Sequence, residues 1–297
     1  MSRFYKFLTS SVVIVLAIGG GTEAYIPAVH AARITDKQTD YQNHPHREAI
    51  DYVVKNKLMW LFPDGNFRPD QPVTQADLVA GLVNVKGLTS GDPVQELPSN
   101  HWAKVYYERA KRNGILEGVE TDPNKVLNRE EASKLMVNAW KSLFRLHRHV
   151  PQYYITSAVD SGWIQAKNGE LPNAVSTTRY DSLGTLSRGE QALTLLSLHR
   201  EFLGIQEAEI IATQFHQSLS SSAGTFRGTL PSLKGYDTRL AVQFKNRDVK
   251  TIDSGNFSLS SSQIEFAELT VKFKGESKSL VRYRYQNFPI FERVSTR

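Results

Sequence analysis

The sequence predicts a mixed fold: an all-α region of three tandem helix-pair repeats, followed by a small α+β module on an antiparallel sheet. Two observations carry this. A helix-start pattern recurs as Val73-Thr74-Gln75-Ala76-Asp77, Leu127-Asn128-Arg129-Glu130-Glu131 and Leu186-Ser187-Arg188-Gly189-Glu190. Beyond Leu203-Gly204 the apolar spacing turns from helical to strict two-residue alternation.

Residues 1–31 read as a secretory signal peptide. Arg3 and Lys6 precede an apolar run from Leu8 to Gly21, and small residues lead to Val29-His30-Ala31-Ala32. The run is about 14 residues, short of the roughly 20 that a spanning helix requires. Cleavage is expected after Ala31, with Ala24 as the alternative; a membrane role is confined to this segment, if it stays uncleaved. Residues 33 to 43 are polar and aperiodic, as in a leader after the cleavage site.

Each recurring start reads as a capping box. Thr74, Asn128 or Ser187 would accept from an orphan backbone N–H, while Asp77, Glu131 or Glu190 reaches back to the cap. The caps are 54 and then 59 residues apart, counted from 74 to 128 to 187, which is an internal repeat. Apolar helix faces follow: Leu78, Val79, Leu82 and Val83; Leu135, Met136, Ala139 and Trp140; Leu193, Leu195, Leu196 and Leu198. The upstream text repeats as well. The middle copy has His101-Trp102-Ala103-Lys104, Ala110 and Asn113-Gly114-Ile115-Leu116-Glu117-Gly118; the first has Ala49-Ile50 and Phe62-Pro63-Asp64-Gly65-Asn66-Phe67-Arg68-Pro69; the third has Ala158 to Ile164.

After the third copy, a helical segment at about 206–219 leads to the turn-rich Ser220-Ser221-Ser222-Ala223-Gly224. Then Leu240, Val242 and Phe244 share a strand face, as do Leu269, Val271 and Phe273, and Val281, Tyr283 and Tyr285. Gly275-Glu276-Ser277 reads as a hairpin connection. Lys272, Lys274, Lys278, Arg282 and Arg284 put a basic second face on this sheet, which is read chiefly as a solvated, aggregation-resistant surface.

At the repeated residues the chain resembles the S-layer homology family, whose repeat is a short helix, a Gly-containing loop and a second helix opening on a Thr-Arg-Ala-Glu-like start. The resemblance covers roughly residues 42 to 203, with repeats at 42–90, 91–148 and 149–204 and a C-terminal α+β module of unknown function at 205–297. It implies a helical bundle with a pseudo-threefold arrangement. The middle copy matches at Trp102, Gly114, Gly118 and Asn128-Arg129-Glu130-Glu131-Ala132. The first has Gln75 in place of the motif arginine and Pro45 near the tryptophan position; the third has Val150 there.

The resemblance implies a site for a secondary cell-wall polysaccharide bearing an acidic pyruvate ketal group. Three clustered helix N-termini would favour an anion, and an arginine beside the cap would grip a carboxylate through two hydrogen bonds. The expected binding residues are Arg129, Arg188, Gln75, Trp102, Asn128, Ser187, Thr74 and Gly114. Gln75 is neutral and weakens or alters the first groove. Trp102 either lines a groove or packs in the core.

Other chemistry is poorly served. The chain has 297 residues, a net charge of +6 and no cysteine, which excludes a disulfide scaffold and thiolate metal sites. Removing the signal takes two positive and one negative charge (Arg3, Lys6, Glu23), leaving +5, which suits anionic wall polymers; nucleic acid is not expected as a partner. The run from Asp64 to Asp70 fails as a calcium loop, because Arg68 and Gln75 take ligand positions. His44 with His46 and His147 with His149 lack a third ligand, so no metal or cofactor is expected. The module contains one histidine, His216, and no nucleophile motif. The reading is a secreted, non-catalytic protein of a Gram-positive type of cell surface, anchored to the wall. Two alternatives stand beside it: a degenerate scaffold binding another surface protein, and an anchored wall hydrolase.

Overall fold

The computed structural model describes residues 39–144, 154–167, 180–287 and 290–294. The expected signal peptide, His147, His149 and Val150 lie outside these. Gln38–Arg297 forms one compact unit. Its helices are α1 (Arg47–Lys55), α2 (Gln75–Val85), α3 (Lys104–Arg112), α4 (Arg129–Phe144), α5 (Tyr154–Asp160) and α6 (Arg188–Ser218). The strands are β1 (Ser220–Ser222), β2 (Thr225–Leu230), β3 (Tyr236–Phe244), β4 (Val249–Ile252), β5 (Gly255–Ser260), β6 (Ile264–Phe273), β7 (Ser279–Asn287) and β8 (Ile290–Val294). No helix among the described residues is long and apolar enough to cross a membrane.

The expected all-α three-repeat bundle, with a separate one-sheet module behind it, is corrected by this architecture. The described residues form six helices and two antiparallel sheets, ordered β1-β2-β5 and β4-β3-β6-β7-β8. The helical part is itself threaded by antiparallel bridges, at Pro72 with Ser187, Thr74 with Val126, and Asn128 with Thr185. Nor do helices pair within a copy: α1 packs on α6, α3 on α2 and α5 on α4. The Tyr52 hydroxyl meets His199 Nδ1 at 2.9 Å across the first of these contacts. The apolar stripes read from sequence supply the core, with Leu78, Leu82, Leu135, Trp140, Leu195 and Leu198 all buried.

Helix α6 runs 31 residues and is continuous through Gly204, where the alternation had suggested a boundary. Its first half belongs to the helical packing. Its second half lays Ala208, Ile211, Ala212 and Phe215 against the sheets. Glycine lets the sheet close on the helix, since a Cβ at Gly204 would stand 2.3 Å from Phe273 Cζ. Buried Glu201 accepts a hydrogen bond from Trp163 Nε1 and forms an ion pair with Lys278 Nζ, both at 2.7 Å, at this junction.

Beyond α6, Ser220–Ser222 forms a strand where a turn was expected. The turn shrinks to Ala223-Gly224, at φ 49° and 71°, as a two-residue hairpin with both residues left-handed requires. In the larger sheet Leu240 pairs with Leu269, and Leu269 with Tyr283; Val242 pairs with Ala267, and Ala267 with Tyr285. The basic second face is locally neutralised. Glu268 accepts from Arg282 at 2.7 Å and Arg284 at 3.2 Å, and Asp237 lies 3.9 Å from Lys272. Such partly exposed pairs are worth about 0–1 kcal/mol each.

Two predictions follow from the α6–sheet contact. Helix propensity alone makes Gly→Ala favourable by about 1 kcal/mol in a helix interior. Because overpacking costs about 1–3 kcal/mol, Gly204→Ala is expected to lower stability by a net ~1 kcal/mol in a urea titration. His216 stacks on Phe291 at 3.7 Å, and burial holds its imidazole down to about 4. The unfolded chain titrates near 6.5, so this contribution is intact above that pH and lost as the pH falls from 6.5 towards 4. Denaturation midpoints across that window should decline more steeply for the wild type than for His216→Phe.

Candidate functional site

The three helix starts are tied into a closed ring by backbone hydrogen bonds. Val73 N donates to Leu186 O (2.8 Å), Leu127 N to Val73 O (3.0 Å) and Leu186 N to Leu127 O (3.5 Å). Each of these apolar residues is buried and immediately precedes a cap. The caps then form as their side chains dictate. Thr74 accepts from Asp77 N, Asn128 from Glu131 N and Ser187 from Glu190 N, and the three acids return a bond to the cap N–H.

The next two N–H groups of each helix are also engaged. Gln75 N and Ala76 N donate to Lys125 O and Pro123 O; Arg129 N and Glu130 N to Gly184 O and Ser182 O; Arg188 N and Gly189 N to Gln71 O and Pro69 O. An anion-binding helix start requires unsatisfied N–H groups. Here loop carbonyls accept from these six N–H groups.

The side chains after the caps point inward. Arg129 is 0 % exposed and donates from Nε to Tyr180 O (3.1 Å) and from Nη2 to Gln165 O (3.0 Å). Arg188 is 4 % exposed and donates to Phe67 O (2.9 Å), Trp60 O (3.0 Å) and Asp77 Oδ1 (3.3 Å), with its guanidinium over the rings of Phe62 and Phe67. Burial lowers the Arg188 pKa, and the Asp77 carboxylate opposes that shift. Both guanidinium groups therefore clamp loop carbonyls from within.

Gln75 is 2 % exposed and solves the same packing problem with different chemistry. Its Nε2 donates to Glu120 O (2.9 Å), while its Oε1 accepts from the Tyr107 hydroxyl (2.7 Å) and Asp122 N (3.0 Å). Tyr107 lies three residues before Ala110, whose carbonyl closes α3; the corresponding residues before Val53 and Ala158 are Ile50 and Ile155. An isoleucine thus accompanies each arginine, and a tyrosine accompanies the glutamine.

Six of the eight expected site residues, Thr74, Gln75, Asn128, Arg129, Ser187 and Arg188, gather at this ring. The other two flank α3. Gly114 follows it at φ 70°, a left-handed turn that glycine adopts without strain. Trp102 precedes it and is 54 % exposed, which removes the core-packing alternative. Sequence reading missed Trp60, which is 40 % exposed with its ring 5.8 Å from Tyr106. It also missed Tyr106 and Arg109, three residues apart on one face of α3, with the Trp102 ring from the preceding turn 6.1 Å from that of Tyr106.

The remaining candidates form no metal centre: among the described residues no three His, Asp or Glu side chains converge on one point. His44 Nδ1 accepts from His46 N, and its Nε2 lies 3.4 Å from Asp70. In the loop at 64–70, a hydrogen bond from Arg68 holds the Asp64 carboxyl down to about 2, so the loop is closed by its own charges.

Comparison with known proteins fits this geometry. Residues 39–79, from just before α1 to the first turn of α2, match the S-layer homology domain. Over 143 residues the chain is 28% identical to the Surface-layer 125 kDa protein of Lysinibacillus sphaericus, a match covering 46% of this chain and 12% of that protein. The similarities point to a structural cell-surface protein carrying an S-layer homology segment.

The glutamine-for-arginine exchange generates a prediction. Gln75→Arg would restore the motif residue but strip Tyr107 and Asp122 N of their acceptor. With buried unsatisfied donors costing about 1–3 kcal/mol each, it should destabilise the chain in chemical denaturation. Combining it with Tyr107→Ile, the pairing at the other two positions, should recover most of that loss.

Proposed function

We propose that this is a non-catalytic, secreted cell-surface protein, held non-covalently to the wall of a Gram-positive type of cell through its helical half. The partner in this reading is a secondary cell-wall polysaccharide bearing an acidic pyruvate ketal. The observation that carries it is the S-layer homology match at 39–79, which takes in the loop that presents Trp60 and the box whose neighbours it joins. The expected binding residues divide by exposure. Trp102 is exposed and would meet a glycan, since an indole offers a flat apolar face and one N–H donor, while Gly114 lies at the far end of α3. Arg129, Arg188 and Gln75, with their caps Thr74, Asn128 and Ser187, set the loops that form the groove walls. The sheet half would be displayed on the surface at the end of α6.

The test is sedimentation of the purified chain with protein-free cell walls, untreated and after mild-acid removal of the ketal. The chain is expected to pellet with untreated walls, more weakly after ketal loss and more weakly again at high salt, which screens the charge contribution. A chain that stays in the supernatant with both preparations overturns the anchoring reading.

A further inference from the structure

The aromatic side chains around α3 form a single surface patch. Tyr106 stands between the two exposed indoles, its ring centroid 5.8 Å from Trp60 and 6.1 Å from Trp102. Its phenol pKa is raised by burial, and the nearby Arg109 opposes that shift. Arg109 is one turn further along the same face. Among the described residues it makes no ion pair and no side-chain hydrogen bond, and its Nε is buried without an acceptor. The indole N–H groups of Trp60 and Trp102 and the Tyr106 hydroxyl are likewise unengaged among the described residues, whereas the core indole of Trp163 donates to Glu201.

The scaffold beneath the patch is rigid. Arg188 Nη2 holds the Trp60 carbonyl. Lys104 Nζ ties the start of α3 to Val94 O (2.9 Å) and Leu97 O (3.1 Å). His101 accepts from Ala103 N at 3.2 Å and stacks on Trp102. A rigid apolar platform rimmed by free donors and one unpaired cation is poorly suited to a purely apolar partner, which would leave those polar groups unsatisfied. It suits a ring with an apolar C–H face, hydroxyl acceptors at its edge and a negative charge.

We infer that Trp60, Trp102, Tyr106 and Arg109 form a recognition site for an acidic pyranose. The aromatic rings take the apolar face of the sugar, and the Arg109 guanidinium takes its carboxylate through paired hydrogen bonds. The assignment rests on the wall-anchoring reading and deepens it. Recognition of the acid moves from the buried box arginines to Arg109, and Arg188 becomes a positioning residue acting through Trp60.

The experiment uses the full chain and protein-free walls, untreated or stripped of ketal, with thermal melts confirming the fold of each variant. Trp60→Ala/Trp102→Ala should bind both preparations at least tenfold more weakly than the wild type, and Trp60→Phe/Trp102→Phe should recover much of that loss. Arg109→Gln should lose about tenfold on untreated walls and bind stripped walls like the wild type. Wild-type affinity for untreated walls in either Trp60→Ala/Trp102→Ala or Arg109→Gln overturns this assignment while leaving anchoring intact. A wild type that binds neither preparation overturns the anchoring reading and this site with it.

Discussion

Three backbone hydrogen bonds among Val73, Leu127 and Leu186 organise the helical half. Because each residue both donates to one neighbour and accepts from the other, the three chain segments close on themselves without a free edge. The closure has a geometric consequence. Every segment enters the ring extended and leaves it as a helix, so the cap that follows must turn the chain within a residue or two. A Ser, Thr or Asn side chain does this while satisfying an N–H that would otherwise be buried without a partner.

The ring also decides where the following side chain goes. It is driven into the loop of a neighbouring segment: Arg188 into the loop after α1, Gln75 into the loop after α3, and Arg129 into the loop after α5. A buried arginine survives there because carbonyl oxygens and, for Arg188, Asp77 and two aromatic faces replace water. Removing such partners from a buried charge costs about 3–5 kcal/mol, which makes these clamps interior structure. Gln75 with Tyr107 shows that the loop needs filled hydrogen bonds, and that a positive charge is one of two ways to fill them.

The two halves are joined through α6. Its length exceeds what either half requires, and the Gly204–Phe273 contact and Glu201 with Trp163 and Lys278 fasten the sheet to it midway. Anything bound at α3 is therefore linked to the sheets through packed secondary structure. His216, stacked between the end of this helix and Phe291 of β8, is a point where acid would weaken the helix–sheet contact.

The sequence alone determined the elements whose cause is local. The three capping boxes, the apolar faces of α2 and α4, and the alternation of β3, β6 and β7 are each written in neighbouring residues, because caps and side-chain periodicity act over a few positions. It also placed a glycine at 114 where the chain turns left-handed. What only the tertiary structure decided depends on residues far apart in the chain. The partner of each helix, the second sheet, the continuity of α6 through a glycine and the inward course of Arg129 and Arg188 were all settled by packing. An arginine beside a cap looks the same in sequence whether carbonyls or solvent await it. Nor does the sequence around Trp60 show that its indole is exposed or that Arg188, 128 residues away, holds its carbonyl.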